Sequence, residues 1–283
     1  MISGTDLKAV FEDTQQKYRE DPDLRSATVK MQAGTLLYPR GFEAAAPREK
    51  SPGPDIEILE DTTFHCAKRL MDETDTDTDP SGTRKVRTAV LNFANAYSPG
   101  GGVTNGAMAQ EECLCRSSNL YSALTIPYIL RNYYKWNAKS TGDMGTDAVV
   151  WSPGVTVFKT DDPVPVEMER NQWFQVDVLT CAAPYNGRSK KHTVTPEKLR
   201  EVFYHRIRNI LEVAAANDTD ILVLGAFGCG AFNNPPALVA DVFRELLIDK
   251  GYFRFFRKTA FAVKKNNSTN TNLEAFREAF KNG

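Results

Sequence analysis

The chain has little of what a metal protein, a membrane protein or a general nucleic-acid binder needs. Its five cysteines, Cys66, Cys113, Cys115, Cys181 and Cys229, form no CxxC pair, and three histidines supply no zinc-ligand spacing. The pattern therefore points to no metal and no cofactor, and the cysteines read as reduced thiols. No segment nears the ~20 consecutive apolar residues of a membrane span, and the opening MISGTDLKAVFEDTQ has no apolar signal core. That reads as a soluble, intracellular protein with no membrane partner, and nothing in it separates cytoplasm from nucleus. Charge of one sign is not in excess either: 35 Lys and Arg face 36 Asp and Glu, a formal net charge of -1. General nucleic-acid binding is not expected from that balance, so any polyanion has to be met at a local site.

What is present is enough apolar residue for a large core, 41% of 283 residues. Apolar runs recur as IEIL at 56–59, VRTAVLNFA at 86–94, AVVWSPGVTVF at 148–158, FQVDVLTCAA at 174–183, DILVLGAF at 220–227 and TAFAVKK at 259–265. Several are continuously apolar, the pattern of strands covered on both faces. Helical stripes fall between them. One starts at Thr195 with Pro196 in the first helical position and runs through Leu199, Phe203, Ile207, Ile210 and Ala214. Another follows Asn234-Pro235-Pro236, and a last one covers Leu273 to Phe280. This order predicts a three-layer α/β/α domain.

Ahead of the first run, Leu7, Val10 and Phe11 give residues 4–20 a helical stripe, and Tyr38 to Asp55 is a loop rich in Pro, Gly and charge. We read residues 1–55 as an N-terminal helical extension packed on the core and residues 56–283 as the main domain. The alternating acids of DETDTDTDPSGT (72–83) lack the Gly and distal Glu of an EF-hand loop and read as a solvated loop.

Two constellations carry chemistry. In the first, the strand ending LNFANA runs through YSPGGGVTNGAMA into a helix beginning near Gln110, with Glu111 and Glu112 in its first turn. Gly100, Gly101 and Gly102 allow close backbone approach or positive φ. An acidic first turn is also what a helix dipole favours for structural reasons alone. Adjacent helical residues point about 100° apart, so the two glutamates cannot do one job side by side. One can act on a ligand while the other orients. A carboxyl group over a glycosidic bond can protonate the leaving oxygen and then activate water, if burial holds its pKa near the working pH. In the second constellation, the strand DILVL runs into Gly225-Ala226-Phe227-Gly228-Cys229-Gly230-Ala231-Phe232. A glycine-rich loop at a strand's carboxyl end is either a tight turn or an anion nest. No histidine partner supports Cys229 as a nucleophile, so it reads as a packing residue.

PGGG followed by seven residues and QEE resembles the signature of poly(ADP-ribose) glycohydrolases, and GAFGCGAFNNPP resembles the diphosphate loop of macrodomains. The resemblance covers about residues 56–265, and the N-terminal part resembles the compact microbial branch. It implies a macrodomain-like mixed sheet and hydrolysis of ribose-ribose bonds in poly(ADP-ribose), mainly from the free end, releasing ADP-ribose. Partners would be the polymer, ADP-ribose and ADP-ribosylated proteins, in reversal of ADP-ribosylation such as the DNA damage response uses. Residue by residue, it implies Glu112 as general acid and base, Glu111 on a neighbouring ribose hydroxyl and Gln110 as support of the turn. Gly100, Gly101 and Gly102 would approach the distal ribose and phosphate. Asn92 would touch that ribose, with Phe227 packed against it. Amides from Ala226 through Gly228 and Cys229 to Gly230 would hold the diphosphate, and Asp61 the adenine. A hydrolase of single ADP-ribose groups on protein or nucleic acid, and a non-catalytic ADP-ribose reader, would share these loops.

Overall fold

The computed structural model describes residues 3–74, 84–140, 144–186, 194–265 and 271–281. The chain opens with α1 (Gly4–Glu20), capped where Ser3 Oγ accepts the Asp6 N–H at 3.1 Å and Asp6 reciprocates. Asp21 ends α1 and caps α2 (Pro22–Gly34), with Pro22 in the first turn. A short strand, β1 (Leu36–Tyr38), follows, then β2 (Ile56–Leu59), α3 (Thr63–Glu73) and β3 (Thr88–Ala94). The glycine-rich turn leads into α4 (Gln110–Ser117), α5 (Leu120–Leu124) and α6 (Pro127–Ile129), then a π-helical turn at Leu130–Tyr134 and α7 (Lys135–Ser140). β4 (Val149–Val157) and β5 (Phe174–Ala182) precede α8 (Pro196–Ala216) and β6 (Ile221–Leu224). The chain ends in α9 (Pro236–Arg244), β7 (Lys258–Ala262) and α10 (Thr271–Ala279).

The strands form one mixed sheet in the order β1-β4-β5-β3-β6-β7-β2, with β1/β4 and β4/β5 antiparallel and the remaining pairs parallel. Alternation along each strand divides the core in two. Ala89, Leu91, Leu222, Leu224 and Phe261 pack with α8, α9 and α10 on one face. Val90, Val178, Val223 and Ala260 pack with α1 to α5 on the other. This is the three-layer arrangement expected, and the apolar runs are continuous because both faces are covered.

Two elements escaped the sequence reading. Leu36 to Tyr38, which overlaps the expected loop only at Tyr38, pairs with Val149 to Trp151 as an edge strand. A three-residue run is too short to show a period. Helix α2 buries Leu24, Thr28 and Met31, a stripe interrupted by a threonine. From residue 75 to 83 the acidic loop lies outside the described residues. Among the described residues no helix is long and apolar enough to cross a membrane.

The sheet prepares a crevice. β3 pairs with β5 as far as Ala94↔Ala182, but its pairing with β6 ends at Val90↔Val223. After β3 the chain crosses to β4 on one side, and after β6 it continues to β7 on the other. Open α/β sheets bind ligands outside the strand ends at such a switch point.

Candidate active site

Gln110 fills the gap where β3 and β6 part. Its side chain accepts the Phe93 N–H at 2.9 Å and donates to Leu91 O at 2.7 Å and Thr63 Oγ1 at 3.0 Å. It thus replaces a strand partner for β3 and ties the start of α4 to the start of α3. Glu111 and Glu112 follow, 3% and 7% exposed. Glu111 accepts the Asn95 N–H at 2.7 Å and the Gly100 N–H at 3.1 Å, one on each oxygen. Glu112 accepts the Gly102 N–H at 2.8 Å and the Ala109 N–H at 3.2 Å. Burial pushes the Glu111 carboxyl up to about 8, aided by the neighbouring Glu112 charge and opposed by bonds from Asn95, Asn92 and Gly100.

The glycine turn therefore serves the carboxyl groups first. Gly100 and Gly102 were expected at the ribose and phosphate. Their amides instead point at Glu111 and Glu112, and only Gly101 of the three lines the cavity. Gly101 has φ +57, and a Cβ there would lie 2.5 Å from Glu112 Oε1, so no other residue leaves this carboxyl in position. Asn92 also differs from expectation. It is fully buried, donates to Thr180 Oγ1 at 3.2 Å and reaches Glu111 from beneath. Its strand position turns it away from the cavity.

The cavity has a volume of about 500 Å³ and runs from these carboxyl groups past the second loop to the ends of β7 and β2. Within that loop the Phe227 N–H bonds Gly225 O and the Cys229 N–H bonds Ala226 O. The amides of Ala226, Gly228, Gly230, Ala231 and Phe232 find no acceptor among the described residues, and these five residues line the cavity. These unpaired N–H groups border open space and can serve as an anion nest. Phe227, expected against the ribose, is instead fully buried beneath the loop, with ring centroids 5.8 Å from Phe93 and 6.0 Å from Phe203. Cys229 is half-buried with its thiol pushed up to about 12 by burial, and its side chain stays off the cavity.

At the far end Asp61 lines the cavity, with Oδ1 engaged by the Thr62 N–H at 2.8 Å and by His65 Nδ1 at 2.7 Å. Sequence reasoning missed Asp161 here. It arrives from the β4–β5 connection and accepts the Phe64 N–H at 3.0 Å, capping α3 where Thr62 makes no cap bond. Burial raises its carboxyl, and bonds from Thr62, Phe64 and His65 offset part of that. Its sequence signal, Asp-Asp-Pro, indicates a turn and nothing more. Asn95, Met108 and Phe232 also line the cavity and were not singled out. Among the described residues no group of three His, Cys, Asp or Glu side chains could hold a metal ion. A larger cavity of about 660 Å³ at the opposite ends of the strands, lined by Trp173, Arg87 and Asp177 among others, has no paired glutamates and no glycine loop.

The carboxyl groups thus sit at both ends of the cavity and the unpaired amides in its middle. Residues 8–160 match the model of the family described as the catalytic domain of microbial-type PARG. The chain belongs to that family. It is similar over 97% of its length to poly(ADP-ribose) glycohydrolase from Thermomonospora curvata, covering 99% of that chain at 32% identity and a TM-score of 0.80. The same enzyme bound to the inhibitor ADP-HPD matches at 31% identity, 96% and 98% coverage and 0.79. The Deinococcus radiodurans enzyme in complex with ADP-ribose matches at 33% identity, 90% and 96% coverage and 0.69. No curated protein matches the chain.

Proposed function

We propose that the chain is a poly(ADP-ribose) glycohydrolase in which Glu112 is the acid and base. The observation that carries this is the charge plan of the cavity. Unpaired amides of Ala226, Gly228 and Gly230 lie between two carboxyl-rich ends, matching a ligand with a dianionic diphosphate centre and neutral, hydroxyl- and base-bearing ends. Glu111 and Glu112 take the ribose end, and Asp61 takes the adenine.

In this reading Glu112 gives a proton to the 2′-oxygen of the departing adenosine while the C1″–O2′ bond breaks. Water adds to C1″ and returns its proton to the Glu112 carboxylate. The products are ADP-ribose and a polymer shorter by one unit with a free 2′-hydroxyl. The Gly102 and Ala109 amides fix the carboxylate, so no reorganisation is needed as charge moves. Glu111 anchors the turn and reaches a ribose hydroxyl. Cleavage runs mainly from the free end, inside the cell, and residues 1–55 form a helical extension that packs on the catalytic domain of residues 56–283 and lends its sheet one edge strand.

Glu112→Gln tests the assignment. ADP-ribose binding should persist by calorimetry while release of ADP-ribose from purified polymer falls roughly a hundredfold or more. Undiminished turnover excludes Glu112 from the chemistry. Parallel assays on singly modified protein separate a polymer hydrolase from one that removes single groups, and no turnover of either by the unmodified chain indicates a reader.

A further inference from the structure

The departing half of the polymer begins at the oxygen that Glu112 protonates, so it has to cross the rim of the cavity beside that carboxyl. On one side the rim is Gly101, which offers no side chain. On the other it is Met108 and Ala109, and the Ala109 amide is bonded to Glu112 itself. Met108 lines the cavity and is nevertheless 53% exposed, so its thioether stands at the lip.

The turn that carries it is held from three sides. The fully buried Arg116 donates to Ala107 O at 2.6 Å. The Ala107 N–H bonds Gly102 O at 3.2 Å. The start of α1 packs on Gly106 so closely that a Cβ there would meet Gly4 O at 2.0 Å. An exposed, unbranched apolar side chain on a braced turn is a prepared surface. Sulfur against the edge or face of an aromatic ring suits an adenine base.

We propose that Met108 packs against the adenine of the departing polymer fragment and so is a specificity residue for the leaving group. This rests on the glycohydrolase reading above. In this assignment Met108 meets the departing fragment and not the ADP-ribose unit retained in the cavity, which separates its effect from that of the residues holding that unit.

The test is steady-state hydrolysis of purified poly(ADP-ribose) by the unmodified chain, Met108→Ala and Met108→Leu, together with calorimetric titration of each with ADP-ribose. Loss of the contact in Met108→Ala should raise KM roughly threefold to tenfold, with the effect confined to KM and ADP-ribose affinity unchanged. Met108→Leu, which restores an apolar surface, should recover most of the loss. An unchanged KM, or a rise matched by equal loss of ADP-ribose affinity, overturns the proposal. Absence of polymer cleavage by the unmodified chain overturns the glycohydrolase reading instead.

Discussion

The Cα of Gly101 lies so near Glu112 that a methyl group on it would sit 2.5 Å from the carboxylate oxygen. Gly101→Ala should therefore displace the catalytic candidate and also strain a backbone at φ +57, which costs an L-residue about 1–2 kcal/mol. We expect at least a roughly hundredfold loss of kcat on poly(ADP-ribose), because a small misplacement of a reacting group is costly. Thermal unfolding should show only a modest drop. Near-normal turnover would mean that Glu112 has freedom the bonds from Gly102 and Ala109 deny it.

Glu111 makes stability depend on pH. Its carboxyl is raised from 4.5 to about 8 in the folded chain, so between those values the folded state keeps a proton that the unfolded state has released. The unfolded state binds fewer protons, and stability falls as pH rises through that window. Glu111→Gln removes this titration. Urea unfolding across the window should show the variant gaining on the parent as pH rises, with the difference levelling off above it. A difference independent of pH would show that Glu111 is ionised throughout.

Gln110 tests whether the crevice needs a plug. Gln110→Ala leaves Leu91 O and the Phe93 N–H unpaired where β3 and β6 separate, along with Thr63 Oγ1. We expect a loss of roughly 2–4 kcal/mol in denaturant unfolding, from buried polar groups left without partners. Gln110→Glu should fare little better, since a carboxylate cannot donate to Leu91 O. A loss under about 1 kcal/mol would show that water replaces the amide.

The nest should be sensitive at Gly228. Its φ is +74, and a Cβ would meet Ala183 Cβ at 2.5 Å and Asn234 Nδ2 at 2.7 Å. Gly228→Ala must shift the loop and spoil the convergence of its amides. ADP-ribose affinity should fall about tenfold or more, whereas adenosine, which lacks the diphosphate, should bind as before. Equal losses for both ligands would relocate the diphosphate.

By itself the amino-acid sequence determined the strands, because burial on both faces writes an unbroken apolar run. It also determined the two glycine loops and the Gln110-Glu111-Glu112 turn, because each lies within one stretch of chain and has composition no regular element would use. What only the tertiary structure decided is direction. Asn92 and Phe227 lie inside the right segments yet point into the core, since the pleat and the loop path, not residue type, set which way a side chain faces. Gly100 and Gly102 turn their amides to carboxylates ten or more residues away, and alternate amides of the second loop are consumed by its own turns. Asp161 comes to the cavity across 97 residues to cap α3, and an edge strand joins the sheet from before residue 40. Hydrogen bonds of that range leave no local trace, because the partner that satisfies a donor is fixed only when the layers have closed.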